Sequence, residues 1–122
     1  MSDTIATRDE AKSLPAGSAK HYSAYVGPPA EYDFMGATQF RLLTTLGLRE
    51  THQLLDFGCG SLRAGRLFIP YLSAGKYFGV EPNSWLVKEA ITHEIGQDQI
   101  RLKSPTFLHN DDFTVTEFGV KL

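Results

Sequence analysis

The sequence predicts an α/β fold in which short parallel strands alternate with helices. Three observations support this prediction: the order of helical and extended patterns, a glycine-rich turn between the first strand and a helix, and an acidic residue that ends the second strand. The connections between such strands are right-handed crossovers. With 122 residues, of which 42% are hydrophobic, the chain is long enough for one domain with a core and too short for two.

The first part of the chain divides into a tail and an aromatic arm. Residues 1–20 combine small and charged side chains without an apolar face, which is typical of a mobile tail, so we expect the domain to occupy residues 21–122. The arm, residues 21–36, either packs on the domain, which we favour, or forms a loop over a cleft. Its aromatic residues are Tyr22, Tyr25, Tyr32 and Phe34.

The remaining elements follow from periodicity and from the residues that end each pattern. Phe40, Leu43 and Gly47 recur at helical spacing, and Gly47 suits the position just past a helix end. Asn83 or Ser84 can cap a later helix. The predicted order is a helix over 37–46, a strand over 53–57, a helix over 61–71, a strand over 76–80, a helix over 84–95 and a strand over 106–109.

Composition and charge exclude several classes of protein. Twelve basic and 14 acidic residues give a net charge of -2, so nucleic acid is an unlikely partner on electrostatic grounds. No apolar run exceeds three residues, so we expect no membrane span and a cytoplasmic location. The single cysteine, Cys59, excludes an internal disulfide, and the four histidines lack metal-ligand spacing. We therefore expect no metal site.

The most informative segment is Asp56-Phe57-Gly58-Cys59-Gly60, where a predicted strand meets a predicted helix. Glycines there allow a sharp turn and a close approach of a ligand to the backbone. Glu81 follows at about the 20-residue spacing at which an acid meets a ribose in nucleotide-binding α/β units. A carboxylate can accept hydrogen bonds from both ribose hydroxyls. Because Glu81 ends a strand, we expect it to lie outside the core.

Two nucleotide classes remain open from these residues alone. The dinucleotide fingerprint has a third glycine where this chain has Arg63. We expect Arg63 and Arg66 to be solvated helix residues or partners of nearby carboxylates, but they could pair with a phosphate, which keeps an NADP-type ligand as an alternative. Asp56 favours a ligand with a cationic amino-acid part, because its carboxylate would repel a pyrophosphate.

The segment Asp56-Phe57-Gly58-Cys59-Gly60 resembles motif I of class I S-adenosylmethionine-dependent methyltransferases, and Val80-Glu81-Pro82 resembles their next acidic motif. Residues 32–40, 60–67 and 79–83 are also similar to a bacterial subgroup of this family. The resemblance implies a Rossmann-like domain, S-adenosylmethionine as the cofactor and transfer of its sulfonium methyl group to a nucleophile. The acceptor and the catalytic residues remain open.

The resemblance also implies roles for individual residues. Gly58 and Gly60 would let the backbone approach the methionine part of the cofactor, Asp56 would orient its amino group, and Glu81 would hold the ribose hydroxyls. The cofactor-binding residues of this turn are then Asp56, Phe57, Gly58, Cys59 and Gly60.

The adenine would be bound by two further loops. Pro82 or Asn83 would touch its edge, and Asp112 with the backbone of Phe113 would read its amino group. Asp111 is the alternative to Asp112, since the correspondence can shift by one residue.

The chain departs from the family at two points. Leu62 stands where motif I usually has a further glycine, which predicts a less open turn. The family's sheet continues beyond the third strand, where this chain ends, so we expect a truncated sheet that holds the cofactor half and lacks most of the acceptor half. Two other functions stay open: a non-catalytic nucleotide-binding module and an NAD(P)-binding oxidoreductase fragment.

A truncated sheet would leave the edge of the first strand open. We expect a second copy to pair with that edge in a homodimer, or residues 114–122 to cover it.

Overall fold

The computed structural model describes residue 22 and residues 29–112 and 114–119. Its main elements are α1 (Tyr32–Thr45), β1 (Leu54–Phe57), α2 (Gly65–Tyr71), β2 (Tyr77–Val80), α3 (Ser84–Ala90), α4 (Gln97–Lys103) and β3 (Thr106–Leu108). A 3-10 turn precedes α1, a π-helical turn joins α3 to α4, and a second 3-10 turn follows β3; they span Pro29–Glu31, Ile91–Ile95 and Thr116–Phe118. The predicted tail, residues 1–20, lies outside the described residues.

The strands form one parallel sheet in the order β1-β2-β3. Leu54 pairs with Tyr77 and Phe78 pairs with Thr106, in the same direction in both cases. One helix connects β1 to β2, and two helices connect β2 to β3. The predicted α/β fold, with a three-stranded parallel sheet flanked by helices, is therefore confirmed.

The first two helices begin at other residues than the sequence predicts. α1 begins at Tyr32, inside the predicted aromatic arm, rather than at residue 37. α2 begins only at Gly65, because the preceding residues form a turn in which Leu62 has a φ of 58°. A residue with a left-handed backbone conformation cannot belong to a right-handed helix. The helix therefore begins about four residues later than predicted.

The third predicted helix is followed by a helix that the sequence analysis did not predict. Gly96, with a φ of 87°, ends the first part after the π-helical turn, as expected for a glycine at that position. α4 then begins at Gln97. Its seven residues contain only two apolar side chains, Ile100 and Leu102, and Leu102 is 67% exposed, so no periodic apolar face marks this helix in the sequence.

The main core lies between the helices and one face of the sheet. Tyr77 of β2 is fully buried there, and its ring centroid lies 6.0 Å from that of Phe107 on β3. All four residues of β2 are buried, as expected for the central strand of a parallel sheet. The buried members of this core are Cys59, Leu62, Ala64, Phe68, Ile69, Leu72, Tyr77, Val87 and Ala90.

The described part of the aromatic arm packs on the domain. Tyr22 and Tyr32 are buried and form a second cluster with Leu86, and Trp85 packs against it. Phe34 is exposed. The favoured interpretation, an arm packed on the domain, therefore holds for these two tyrosines, whereas Tyr25 lies outside the described residues.

The segment after β3 contacts the central strand. The ring centroid of Phe118 lies 5.1 Å from that of Phe78 on β2, so the described residues 114–119 pack on a face of the sheet rather than along β1. Residues 120–122 lie outside the described residues. Pairing of β1 with a second copy stays a prediction. Leu42 of α1 lines a cavity together with Leu54 and Leu55 of β1 and is 56% exposed, so it adds apolar surface near this strand.

Gly36 marks the closest approach of α1 to the turn that follows the glycines. A Cβ atom at this buried position would lie 2.1 Å from the carbonyl oxygen of Arg63. Gly36→Ala should therefore lower the free energy of unfolding by about 1–3 kcal/mol, the usual cost of overpacking. Intrinsic helix propensity alone would instead favour the alanine by about 1 kcal/mol.

Urea denaturation of both proteins measures this difference. The control is Ala37→Gly at the next, exposed helix position, which should lose only the propensity difference of about 1 kcal/mol. A Gly36→Ala variant more stable than the wild type would contradict the observed packing of α1 on the turn.

Candidate functional site

The predicted site residues follow the carboxyl ends of the three parallel strands, which meet at one edge of the sheet. Backbone hydrogen bonds hold these ends together. The N–H groups of Gly58 and Cys59 both donate to the carbonyl oxygen of Val80, at 2.7 and 3.0 Å. The N–H group of Glu81 donates to the carbonyl oxygen of Leu108 at 2.9 Å. The loops after β1, β2 and β3 are thus fixed relative to one another.

Glu81 is the central charged group of this edge, and it is only 7% exposed. Its Oε1 accepts a hydrogen bond from the Gly60 N–H at 3.0 Å, and its Oε2 accepts from the backbone N–H and the Nδ2 of Asn83, at 3.0 and 3.1 Å. These donors offset the cost of burying a carboxylate. Glu81 follows the end of β2 and belongs to neither hydrophobic cluster, as expected, but its side chain is buried.

The glycine turn has the backbone conformation that its sequence predicts. Gly58 and Gly60 have φ values of 68° and 57°, in the left-handed region that glycine adopts without strain. No atom lies within 4 Å of the position that a Cβ atom on Gly58 would occupy, so a ligand can approach the backbone there. Phe57, just before the turn, is 53% exposed.

Cys59 fills space inside the turn. Its Sγ would lie 2.9 Å from a Cβ atom on Gly79, so the thiol packs directly on the central strand. Burial, together with the negative charges of Asp56 and Glu81, raises the pKa of the Cys59 thiol. A raised thiol pKa disfavours the nucleophilic thiolate, which agrees with a space-filling role for Cys59.

Leu62 adopts the backbone conformation of the glycine that the resemblance places there. Its φ is 58°, and its side chain is fully buried in the main core. A left-handed conformation costs a residue with a Cβ atom about 1–2 kcal/mol. Burial of the leucine side chain offsets this strain, so the turn keeps its shape without the glycine.

Asp56 faces the helices from β1. Its Oδ2 accepts a hydrogen bond from the hydroxyl of Tyr77 at 2.7 Å. Burial raises the pKa of the Asp56 carboxyl, against the opposing effects of the Tyr77 hydrogen bond and the positive charge of Arg63. The carboxylate borders a cavity of about 240 Å³ between β1, α1 and α2. The other residues that line it are Gln39, Leu42, Leu43, Leu54, Leu55, Ala64 and Phe68.

The loops in which the resemblance places the adenine contacts have several residues at the surface. Pro82 and Asp111 are exposed. Asp112 is exposed as well, and its Oδ1 accepts hydrogen bonds from the backbone N–H and the hydroxyl of Thr114, at 3.2 and 3.1 Å. The Asp112 carboxylate thus stabilises a local turn. Phe113 lies outside the described residues.

Sequence reasoning missed two polar atoms at this end of the sheet. Ser61 Oγ and Asn110 Oδ1 are both buried without a hydrogen-bond partner. Nothing in the residue types identifies them, since serine and asparagine are ordinary turn residues. Each of these two oxygens is notable only because it is buried, and burial is a property of the folded chain that the sequence does not reveal.

Arg66 joins the aromatic arm to the site. Its guanidinium lies 2.6 Å from the Asp33 carboxylate, 3.5 Å from that of Glu94 and 4.5 Å from the centre of the Tyr32 ring. The hydroxyl of Tyr32 donates a hydrogen bond to the carbonyl oxygen of Ser61 at 2.6 Å. Arg66 is therefore a partner of carboxylates, as its residue type predicts.

Neither a metal site nor a membrane span is found in the part of the chain that the structure describes. No group of three or more His, Cys, Asp or Glu side chains there could hold a metal ion. No helix within the same residues is long and apolar enough to cross a membrane.

Comparison with known proteins returned no match to a family model, to a curated protein or to a solved structure.

The left-handed conformation of Leu62 predicts an unusual order of stability among its variants. Leu62→Ala keeps the strain of the left-handed conformation and loses the buried side chain, which should lower the free energy of unfolding by about 3–5 kcal/mol. Leu62→Gly loses the same side chain but relieves the strain, so it should be more stable than Leu62→Ala, by about 1 kcal/mol or less. Chemical denaturation of both variants measures this order.

Leu72 is the matched control, since it is equally buried and has an ordinary φ of -74°. There the glycine variant should be the less stable of the two. The same order at both positions would contradict the strain assigned to Leu62.

Burial of Asp56 predicts a pH dependence of stability. Because the pKa of Asp56 is raised in the folded chain, the folded state binds more protons than the unfolded state above the ordinary value of 3.8. The contribution of Asp56 to the free energy of unfolding therefore falls as the pH rises from the pKa of the unfolded chain to the raised pKa of the folded chain. Asp56→Asn keeps an acceptor for Tyr77 and removes the charge, so this variant should be more stable than the wild type at pH 7.

Urea denaturation between pH 3.5 and pH 7, roughly the range in which a raised carboxyl pKa acts, tests this sign. Glu50→Gln, at an exposed position before β1, is the control and should keep the wild-type pH dependence. An Asp56→Asn variant that loses stability at pH 7 would mean that the ionised carboxylate is net stabilising.

Proposed function

We propose that this chain binds S-adenosylmethionine as the cofactor-binding portion of a cytoplasmic methyltransferase. The observation that carries the proposal is the Glu81 carboxylate, which ends the central strand and accepts a hydrogen bond from the Gly60 N–H. This contact joins the acid and the glycine turn, the two features on which the resemblance depends. The methyl acceptor is left open.

The hydrogen bonds of Glu81 suggest how a ribose would bind. A carboxylate has about four acceptor positions, and three N–H groups use three of them here. One ribose hydroxyl can donate to the remaining position, on Oε1. The second hydroxyl can replace Asn83 Nδ2 on Oε2, because a side-chain amide can rotate away. Asn83 is then released to reach the adenine edge.

The end of β1 suits the amino-acid part of the same ligand. Asp56 provides a carboxylate whose pKa is raised by burial, so a cationic group beside it would stabilise its charged form. The open approach to Gly58 lets a ligand chain run along the turn. The bound cofactor supplies an activated methyl group, and the residues of this chain bind and orient it.

Two observations weigh against an NADP-type ligand. Arg66, one of two arginines suited to a phosphate, is held between Asp33 and Glu94. Asp56 would repel a pyrophosphate beside the turn. Isothermal titration with S-adenosylhomocysteine and with NADPH separates the two classes, and tighter binding of NADPH would exclude the proposal. Activity assays with candidate acceptors separate an enzyme from a non-catalytic binding module.

The proposed role of Glu81 predicts a selective loss of ribose recognition. The wild type should bind S-adenosylhomocysteine more tightly than its 2′,3′-dideoxy analogue by about 1.5–3 kcal/mol, the scale of hydrogen bonds to a charged group. In Glu81→Gln this preference should largely disappear. The ratio of the two affinities is the measured quantity, because any loss of fold stability weakens both ligands equally.

Glu50→Gln, in the exposed loop before β1, is the matched control and should keep the wild-type ratio. An unchanged ratio in Glu81→Gln would assign the ribose to another residue.

A further inference from the structure

We infer that His93 is a pH-sensitive latch for the aromatic arm: protonation of its imidazole strengthens the packing of Tyr22 on the domain. The observation that carries the inference is the contact between the two rings. Their planes are nearly parallel, at an angle of 2°, and their centroids lie 5.8 Å apart. Tyr22 is buried in this position. The inference concerns the arm and does not depend on the proposed function.

The π-helical turn brings two consecutive residues to the same tyrosine. Glu94 accepts a hydrogen bond from the Tyr22 hydroxyl, and His93 lies against the Tyr22 ring. The turn spans Ile91–Ile95, and π-helical turns in proteins are frequent at functional positions. One short segment thus contacts both the polar and the aromatic part of this arm residue.

The imidazole of His93 is the group in this contact whose charge changes near neutral pH. Histidine is the side chain that normally gains or loses its proton between about pH 5 and pH 8. Burial, and after it the Glu94 hydrogen bond, raises the pKa of the Tyr22 hydroxyl. Burial also raises the pKa of the neighbouring Tyr32 hydroxyl. Both tyrosines therefore remain neutral in this range of pH.

The charges around His93 favour its protonated form. Its Nε2 lies 3.0 Å from Oε2 of Glu89, one turn earlier on α3. Glu94 follows it in the chain, and Arg66 of α2 contacts both Glu94 and Asp33 of α1. These neighbours supply three negative charges and one positive charge. An imidazolium at His93 reduces the excess of negative charge.

The imidazolium is also attracted by Tyr22. A cation against the face of an aromatic ring interacts favourably with the negative charge density of that face. Loss of hydration opposes this attraction, because burial disfavours a charged imidazole. The side chain of His93 is still 36% exposed, so water continues to solvate the ring and the attraction exceeds the cost. Acid pH should therefore stabilise the packed position of Tyr22.

The latch is connected to the glycine turn through Tyr32. The rings of Tyr22 and Tyr32 meet edge to face, with 6.0 Å between their centroids. The Tyr32 hydroxyl donates to the carbonyl oxygen of Ser61, which follows Gly60. A packed arm thus supports the turn of the candidate site, and protonation of His93 stabilises this arrangement.

Urea denaturation of a double-mutant cycle at two pH values tests the latch. Tyr22→Ala removes the ring, and the measured quantity is the factor by which it raises the equilibrium constant of unfolding. In the wild-type background this factor should be about two- to fivefold larger at about pH 5.5 than at about pH 8, the effect of an exposed cation–π contact. In a His93→Gln background it should be the same at both pH values, because glutamine does not titrate.

His52→Gln is the matched control. His52 is exposed in the loop before β1, and its Nδ1 accepts a hydrogen bond from the backbone N–H of Arg49. In this background the factor should still be larger at acid pH. Three results would overturn the latch: a wild-type factor that is equal or smaller at acid pH, a pH dependence that persists in His93→Gln, or one that disappears in His52→Gln.

Hydrogen exchange covers the case in which Tyr22→Ala does not fold. The protection factor of the Tyr22 amide, corrected for the intrinsic pH dependence of exchange, reports how often the arm opens. It should be larger at about pH 5.5 than at about pH 8 in the wild type, by the same two- to fivefold. In His93→Gln it should be equal at the two pH values. Equal protection at both pH values in the wild type would contradict the inference.

Discussion

The buried carboxylate of Glu81 is the constraint on which this end of the sheet depends. A negative charge that is 7% exposed needs donors within the protein, and among the described residues the loop residues Gly60 and Asn83 provide them. Gly60 can present its N–H because its φ is 57°, which favours glycine. A direct hydrogen bond therefore links the acid to the glycine turn.

The same turn is held from its outer side by α1. Tyr32 donates to the Ser61 carbonyl oxygen, Gly36 allows close approach to Arg63, and Leu62 anchors the turn in the main core. These contacts make the left-handed conformation of Leu62 sustainable, since a strained residue persists only where its surroundings determine it. The aromatic arm is thus a structural part of the site rather than an addition to the domain.

The sequence predicted the features that depend on local patterns. The ends of the strands are marked by a glycine or an acid, and the ends of two helices are marked by Gly47 and Gly96. These signals lie in neighbouring residues, so the α/β order could be predicted. Two other features depend on loops that meet only after folding: the burial of Glu81 and the lack of a partner at Asn110 Oδ1. No periodicity in the sequence indicates either feature. α4 was missed for the opposite reason, because its short sequence has no apolar face to detect.

Several features at the carboxyl end of the sheet oppose folding in the absence of a ligand. Asp56 carries a buried charge, and Asn110 Oδ1 has no donor. Both features lower the free energy of unfolding, and both involve polar groups. A cationic ligand that donates hydrogen bonds would satisfy them. Such an arrangement is expected where a protein loses some stability in order to bind a ligand. A ligand that relieves them binds the folded chain and not the unfolded one, so its affinity adds to the stability of the fold. Under the proposed function, ligand binding and folding would therefore be coupled, because the ligand would complete interactions that the folded chain leaves unpaired.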